Sequence, residues 1–172
     1  MSPLILIRSA TVADASALLS IYGPIVETSA ISFETVVPTT EEFAGRIEKA
    51  VAGWSWLVAE LNDHCIGYAY GSPHRERAAY RWAVEVSAYV DSGHYRRGIG
   101  RALYLQLFKE LTEKGFCNAY AGIALPNDAS IALHRGVGFE SIGVFKAVGR
   151  KFGRWHDVAW FQRNLRVSPP FD

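Results

Sequence analysis

Val84-Glu85-Val86-Ser87-Ala88-Tyr89-Val90-Asp91-Ser92-Gly93-His94-Tyr95-Arg96-Arg97-Gly98-Ile99-Gly100-Arg101-Ala102-Leu103 is the stretch that decides the fold. It reads as an extended apolar strand, a short polar loop and a basic glycine turn that opens a helix. The first backbone N–H groups of a helix have no partner inside it, and the helix dipole adds partial positive charge there. Such a turn suits a bound anion. Gly98 and Gly100 would let a large ligand approach the backbone, and Arg96, Arg97 and Arg101 add positive charge around it. A pyrophosphate fits that description.

The rest of the chain supports one α/β domain. Leu4 to Arg8 reads as a strand and Thr11 to Glu27 as a helix, with Thr11 and Asp14 spaced as a capping box. Thr40 to Ala52 reads as a second helix. Trp56 to Leu61 and Cys65 to Gly71 form a hairpin around Asn62-Asp63-His64. Tyr80 to Val90 reads as a long strand, Ile99 to Glu113 as an amphipathic helix, and Cys117 to Ala124 as a strand. A short helix runs from Asn127 to Val137. A last hairpin pairs Phe139–Val148 with Val158–Asn164, joined by a basic link from Gly149 to Asp157. The order predicts a mixed central sheet of about seven strands flanked by about four helices. One domain is expected over 1–166, with 167–172 as a frayed tail.

Bulk properties narrow the function classes. The 172 residues carry a net charge of +1, with 49% apolar and 20% charged residues, so no global field recruits nucleic acid or a membrane. Arg150, Lys151 and Arg154 form a short basic patch, too small for a nucleic-acid site and better suited to a lid or subunit contact. The run Leu4 to Ile7 is too short for a signal peptide or a span. Cys65 and Cys117 show no metal-ligand spacing, so no metal is expected and a reducing, cytoplasmic setting follows. The tryptophans Trp54, Trp56, Trp82, Trp155 and Trp160 read as core or interface residues.

The glycine turn lacks the Walker pattern Gly-x-x-x-x-Gly-Lys-Ser/Thr. It also lacks a dinucleotide fingerprint, because Leu103 fills the third glycine slot and no acidic residue follows at the ribose distance. Instead, Arg96-Arg97-Gly98-Ile99-Gly100-Arg101-Ala102-Leu103 resembles the acyl-CoA-binding turn of the GCN5-related N-acetyltransferases. Leu125-Pro126-Asn127-Asp128-Ala129-Ser130, Leu133-His134-Arg135-Gly136-Val137-Gly138-Phe139 and Lys151-Phe152-Gly153-Arg154-Trp155-His156-Asp157 extend the resemblance to the phosphinothricin / methionine sulfoximine acetyltransferase subfamily. Tyr95 departs from the pattern, standing where the superfamily usually carries Gln or Arg.

The resemblance implies an acetyl-CoA cosubstrate, a small amino-acid-like amine acceptor, direct transfer in a ternary complex and a homodimer. It places Ala88-Tyr89-Val90 against pantetheine, and Arg96, Arg97, Gly98, Ile99, Gly100 and Arg101 against the diphosphate. Asn127 reads from its position as a helix cap; by resemblance it also contacts the coenzyme, with Ser130 beside it. Arg75, Glu76 and Arg77, with Glu85, Val86 and Ser87, are implied to border the acceptor, where Arg75 or Arg77 could clamp an acidic group. Phe33 either lines that pocket or packs the first helices.

Two side chains are candidates for the chemistry. Glu85, in an apolar strand, is the candidate base, with desolvation expected to raise its pKa; the alternative is a solvated strand residue. His134, where many of the superfamily carry a tyrosine acid, is the second candidate; the alternative is a histidine packed near Phe139. No cysteine has the setting of a covalent acyl carrier. Two other readings stay open from sequence: a broader amine, polyamine or protein N-terminal acetyltransferase, and a non-catalytic acyl-CoA sensor.

Overall fold

The computed structural model describes residues 5–166; the sequence-based tail at 167–172 and Leu4 lie outside them. The elements run β1 (Leu6–Ser9), α1 (Ala15–Thr28), α2 (Thr40–Gly53), β2 (Trp56–Leu61), β3 (His64–Pro73), β4 (Ala83–Val90), α3 (Ile99–Glu113), β5 (Asn118–Ala124), α4 (Asp128–Gly136), β6 (Glu140–Lys151) and β7 (Arg154–Asn164). They form a seven-stranded sheet in the order β1-β2-β3-β4-β5-β7-β6. Every neighbouring pair is antiparallel except β4–β5, which is parallel.

The sheet separates two cores. Strand side chains alternate between faces, so Leu57 and Ala59 of β2 pack with Leu103, Leu107 and Leu111 of α3. Trp56 and Val58 pack on the other face with Leu18, Val26, Phe43 and Ile47 of α1 and α2. The alternation continues along β4 and decides what the strand can do. Val84 and Val86 join the α3 core with Ala88 and Val90 against it. Glu85, Ser87 and Tyr89 therefore face the α1–α2 side.

The parallel pair is short. Only Ala83–Glu85 pair with Asn118–Tyr120. Beyond Glu85, β4 continues beside β3 as far as Val90, and β5 continues beside β7 as far as Ala124. The two strands part, and the inner edge of β4 from Val86 to Val90 has no β5 ladder. A wedge thus opens in the middle of the sheet.

Several expected boundaries shift, each for a local reason. The first helix starts with a single 3-10 turn at Val12–Asp14 before α1, because Asp14 caps back onto the Thr11 backbone N–H at 2.7 Å. Ala78–Tyr80 is also a 3-10 turn, so β4 begins at Ala83 rather than Tyr80. The basic link expected at Gly149–Asp157 is the closed end of a long hairpin, since β6 and β7 run to Lys151 and Arg154 around Phe152-Gly153.

Lys151 is not part of an exposed basic patch. It is 5% exposed, and its ammonium donates to the Val26 and Ser32 carbonyls at 2.7 and 2.8 Å. Phe33 lies over Gly149, where a Cβ would run into its ring. The hairpin end is thereby fastened to the α1–α2 connection. Lys151→Met leaves two carbonyls without their donor and should lower unfolding stability by about 2 kcal/mol in a urea titration.

Candidate active site

The wedge holds two cavities that meet between the strands. The larger, about 600 Å³, lies on the α1–α2 side; Ser32, Phe33 and Glu34, β4 residues Glu85–Ser87, and Phe145, Val148 and Trp160 of the hairpin line it. The smaller, about 50 Å³, is lined by Ala88, Tyr104, Asn127, Ser130 and His134. Val86, Ser87, Tyr89 and Gly122 line both. A reactant seated on each side of the sheet would therefore meet at the unladdered edge of β4.

The glycine turn lies beyond the far end of that edge. Asp91 shapes its approach by accepting from the Gly93 N–H at 2.9 Å, with the His94 Nδ1 at 3.0 Å. Arg96 and Gly98 both take left-handed backbone, with φ of 61° and 76°. Gly98 is the N-cap of α3, and the first intrahelical bond runs from Ala102 N–H to the Gly98 carbonyl at 3.0 Å. The N–H groups of Ile99, Gly100 and Arg101 precede that bond, which is the arrangement an anion needs. Arg96, Arg97 and Arg101 are exposed around it. Gly100 has a different reason for its identity than ligand approach: a Cβ there would stand 3.0 Å from Leu133, so the missing side chain admits α4 against α3. These groups fit a coenzyme with an extended amide arm and a diphosphate.

Asn127 caps α4 by accepting from the Ser130 N–H at 3.1 Å. Ser130 in turn fixes His134: its carbonyl lies 2.7 Å from Nδ1, and its hydroxyl 3.3 Å. A carbonyl only accepts, so Nδ1 carries the proton and Nε2 accepts from the Tyr104 hydroxyl at 2.9 Å. Both ring nitrogens are thus engaged. Phe139 packs edge-on at 5.2 Å, so the structural alternative for His134 and its position on the small cavity hold together. Burial pushes the imidazole pKa down, opposed by the bond to the Ser130 backbone. Burial also pushes the Tyr104 hydroxyl well above the ordinary tyrosine range. Tyr104 was not singled out by sequence because it sits in the Leu103/Leu107 stripe of α3 and reads there as core.

Glu85 is not in apolar surroundings. Its Oε1 lies 3.0 Å from His74 Nδ1 and 3.2 Å from Arg75 Nη1, and its side chain is 30% exposed. The expected desolvated carboxylate is replaced by one held between an imidazole and a guanidinium. Arg75 also reaches the His74 carbonyl at 2.8 Å and lies over the Trp160 ring. Glu76 and Arg77 are exposed and do not line the large cavity; Arg77 instead precedes the 3-10 turn, accepting from the Tyr80 N–H at 2.9 Å. Phe33 both lines the cavity and packs on the hairpin. Tyr89 turns its ring to the α1–α2 core, edge-on to Tyr22 at 5.1 Å, which leaves its backbone to the wedge. Trp160, read from sequence as core or interface, is part of the cavity wall.

Comparison with known proteins agrees with this geometry. The family profile described as Acetyltransferase (GNAT) domain matches residues 7–160. Phosphinothricin N-acetyltransferase of Streptomyces viridochromogenes is 40% identical over 95% of this chain and 90% of its own. L-methionine sulfoximine/L-methionine sulfone acetyltransferase of Salmonella typhimurium is 36% identical over 92% of this chain and 94% of its own. A solved Salmonella typhimurium structure holding its cofactor acetyl-CoA superposes with a TM-score of 0.93 at 34% identity, covering 98% of each chain.

The buried imidazole has a consequence for stability. Its folded-state pKa lies below the ordinary 6.5, so the unfolded chain binds this proton more readily. The stability tied to this site is present above that value and is lost as pH falls through it towards the folded-state value. Urea unfolding from about pH 7.5 to about pH 5 should show this decline, and His134→Gln should flatten it.

Proposed function

The chain belongs to the GNAT acetyltransferase family, and on that premise we propose an acetyl-CoA-dependent N-acetyltransferase for the α-amino group of small amino-acid-like acceptors. Phosphinothricin, methionine sulfoximine and methionine sulfone are the acceptor types its relatives point to. The observation that carries the reading is the parting of β4 and β5, with a cavity on each side of the sheet and a helix N-terminus beyond.

Ile99, Gly100 and Arg101 offer backbone N–H groups to the coenzyme diphosphate, with Arg96 and Arg97 adding charge. The edge of Ala88, Tyr89 and Val90 pairs with the pantetheine amides, and Asn127 and Ser130 border the same arm. This lays the thioester at the junction of the cavities. The acceptor occupies the larger cavity beside Glu85, Val86, Ser87 and Phe33, with Arg75 as the cation nearest its acidic group. An amino acid's amine is mostly protonated at neutral pH and must lose a proton before it attacks. Glu85 takes that proton, directly or through one water. The freed nitrogen attacks the carbonyl, whose developing oxyanion is met by a β4 backbone N–H. Collapse of the intermediate expels the sulfur as a thiolate, which takes the surplus proton left on the attacking nitrogen, because the Tyr104 hydroxyl gives its one proton to His134 Nε2. His134 therefore orients Tyr104 at the small cavity as a neutral ring and not as an imidazolium.

Glu85→Gln should lower kcat roughly 100-fold while acetyl-CoA still binds, as read by thiol release with methionine sulfoximine. Product mass should show one acetyl group on the α-nitrogen. A variant with unchanged rate removes Glu85 from the mechanism.

A homodimer is supported by β6. It is an edge strand, and Ile142, Val144, Phe145 and Val148 are 52%, 43%, 49% and 51% exposed. Exposed apolar edge strands are prone to pair with another chain, and a second copy is the occupant the resemblance implies. Sedimentation should give a dimer, and Val144→Lys should shift it towards monomer. Among the described residues no helix is long and apolar enough to cross a membrane. The free thiols of Cys65 and Cys117 suit the cytoplasm.

A further inference from the structure

We propose that His74 is a positioning residue that fixes the orientation of Glu85 and leaves its Oε2 free. The inference rests on the reading of Glu85 as the base and adds to it a residue that local sequence spacing does not reveal.

His74 follows the end of β3, and the β3–β4 register pairs Ser72 with Glu85 and Pro73 with Val84. That register brings its ring alongside the Glu85 side chain. Nδ1 lies 3.0 Å from Glu85 Oε1, and the imidazole side chain is 14% exposed. Packing holds the ring in this plane. Tyr120 of β5 stacks on it at 4.5 Å and 17°, and Tyr80 and Trp160 stand edge-on at 5.8 and 6.2 Å. The titratable or charged groups facing it are thus Glu85 from β4, Tyr120 from β5, Tyr80 from the 3-10 turn and neighbouring Arg75. Stacking on Tyr120 alone would be served equally by phenylalanine. The polar edge of this ring is instead aimed at the carboxylate that lines the large cavity.

A carboxylate only accepts, so Nδ1 carries the proton of the neutral ring. In that state His74 and Arg75 both occupy Oε1, which leaves Oε2 to receive a proton from the acceptor ammonium. The N–H bond breaks, an O–H bond forms at Oε2, and the electron pair stays on nitrogen. His74 therefore holds Glu85 in place without touching substrate.

The test measures kcat and both KM values by thiol release, with methionine sulfoximine as acceptor. The full chain is compared with its His74→Phe, His74→Asn and Glu85→Gln variants. His74→Phe should keep the stacking and the KM for acetyl-CoA but lower kcat roughly tenfold. His74→Asn presents an N–H near the same oxygen and should recover most of that loss. An unchanged kcat in His74→Phe, or a kcat in His74→Asn no higher than in His74→Phe, overturns the proposal, because asparagine restores the N–H and not the ring and so would not repair lost packing. If His74→Phe fails to fold, His74→Leu serves as the variant without a donor. A normal rate for Glu85→Gln would instead defeat the reading of Glu85 as base. A slow Glu85→Gln with no recovery in His74→Asn would defeat only the role of His74.

Discussion

Everything functional in this fold depends on where one ladder stops. β4 and β5 share hydrogen bonds only from Ala83 to Glu85, and then separate while each keeps its outer neighbour. Buried backbone N–H and C=O groups without partners are costly. A strand edge left open inside a sheet is therefore a place for a ligand with amides of its own. Stopping the ladder at Glu85 also places that carboxylate at the apex of the wedge, on the wall of the larger cavity. Had the pairing continued to Val90, neither cavity would exist.

The surroundings are organised to keep the wedge open and shaped. On the α3 side, Asn127 caps α4, Gly100 lets Leu133 approach α3, and the Tyr104–His134–Ser130 chain saturates the polar atoms at the cavity floor. On the α1–α2 side, the connection carrying Ser32, Phe33 and Glu34 is tied at three points. Lys151 donates to the Ser32 carbonyl, Tyr22 shares a hydrogen bond with the Ser32 hydroxyl at 2.7 Å, and Arg46 pairs with Glu34 at 2.5 Å. That connection and the β6–β7 hairpin form the outer wall of the large cavity, so its shape depends on distant parts of the chain agreeing.

What could be read from sequence follows the range of each interaction. The glycine turn, the α4 cap and the strand alternation of β4 are local, and Gly98, Asn127 and the Val84/Val86 pattern announce them. The subfamily motifs were legible because their residues stand in fixed order. Long-range contacts were not legible. Lys151 reads as one charge in a basic run, yet its partners are Val26 and Ser32, far back in the chain. His74 meets Glu85 only through the register of β3 on β4. Tyr104 is hidden in an apolar stripe until α4 brings His134 to its hydroxyl. The surroundings of Glu85 are hidden from sequence for the same reason: its strand is apolar, but alternation turns it to the face where His74 and Arg75 converge. Glu76 and Arg77, adjacent to Arg75 in sequence, are exposed and make no contact with Glu85 among the hydrogen bonds that hold it, since the chain turns into the 3-10 turn after Arg77.

Amide hydrogen exchange with and without acetyl-CoA reads the open edge of β4 and the start of α3 directly. New protection is expected at Val86–Val90 and at Ile99–Arg101, with little change along β1 and β2. Protection confined to other segments, with those amides exchanging as before, would contradict it.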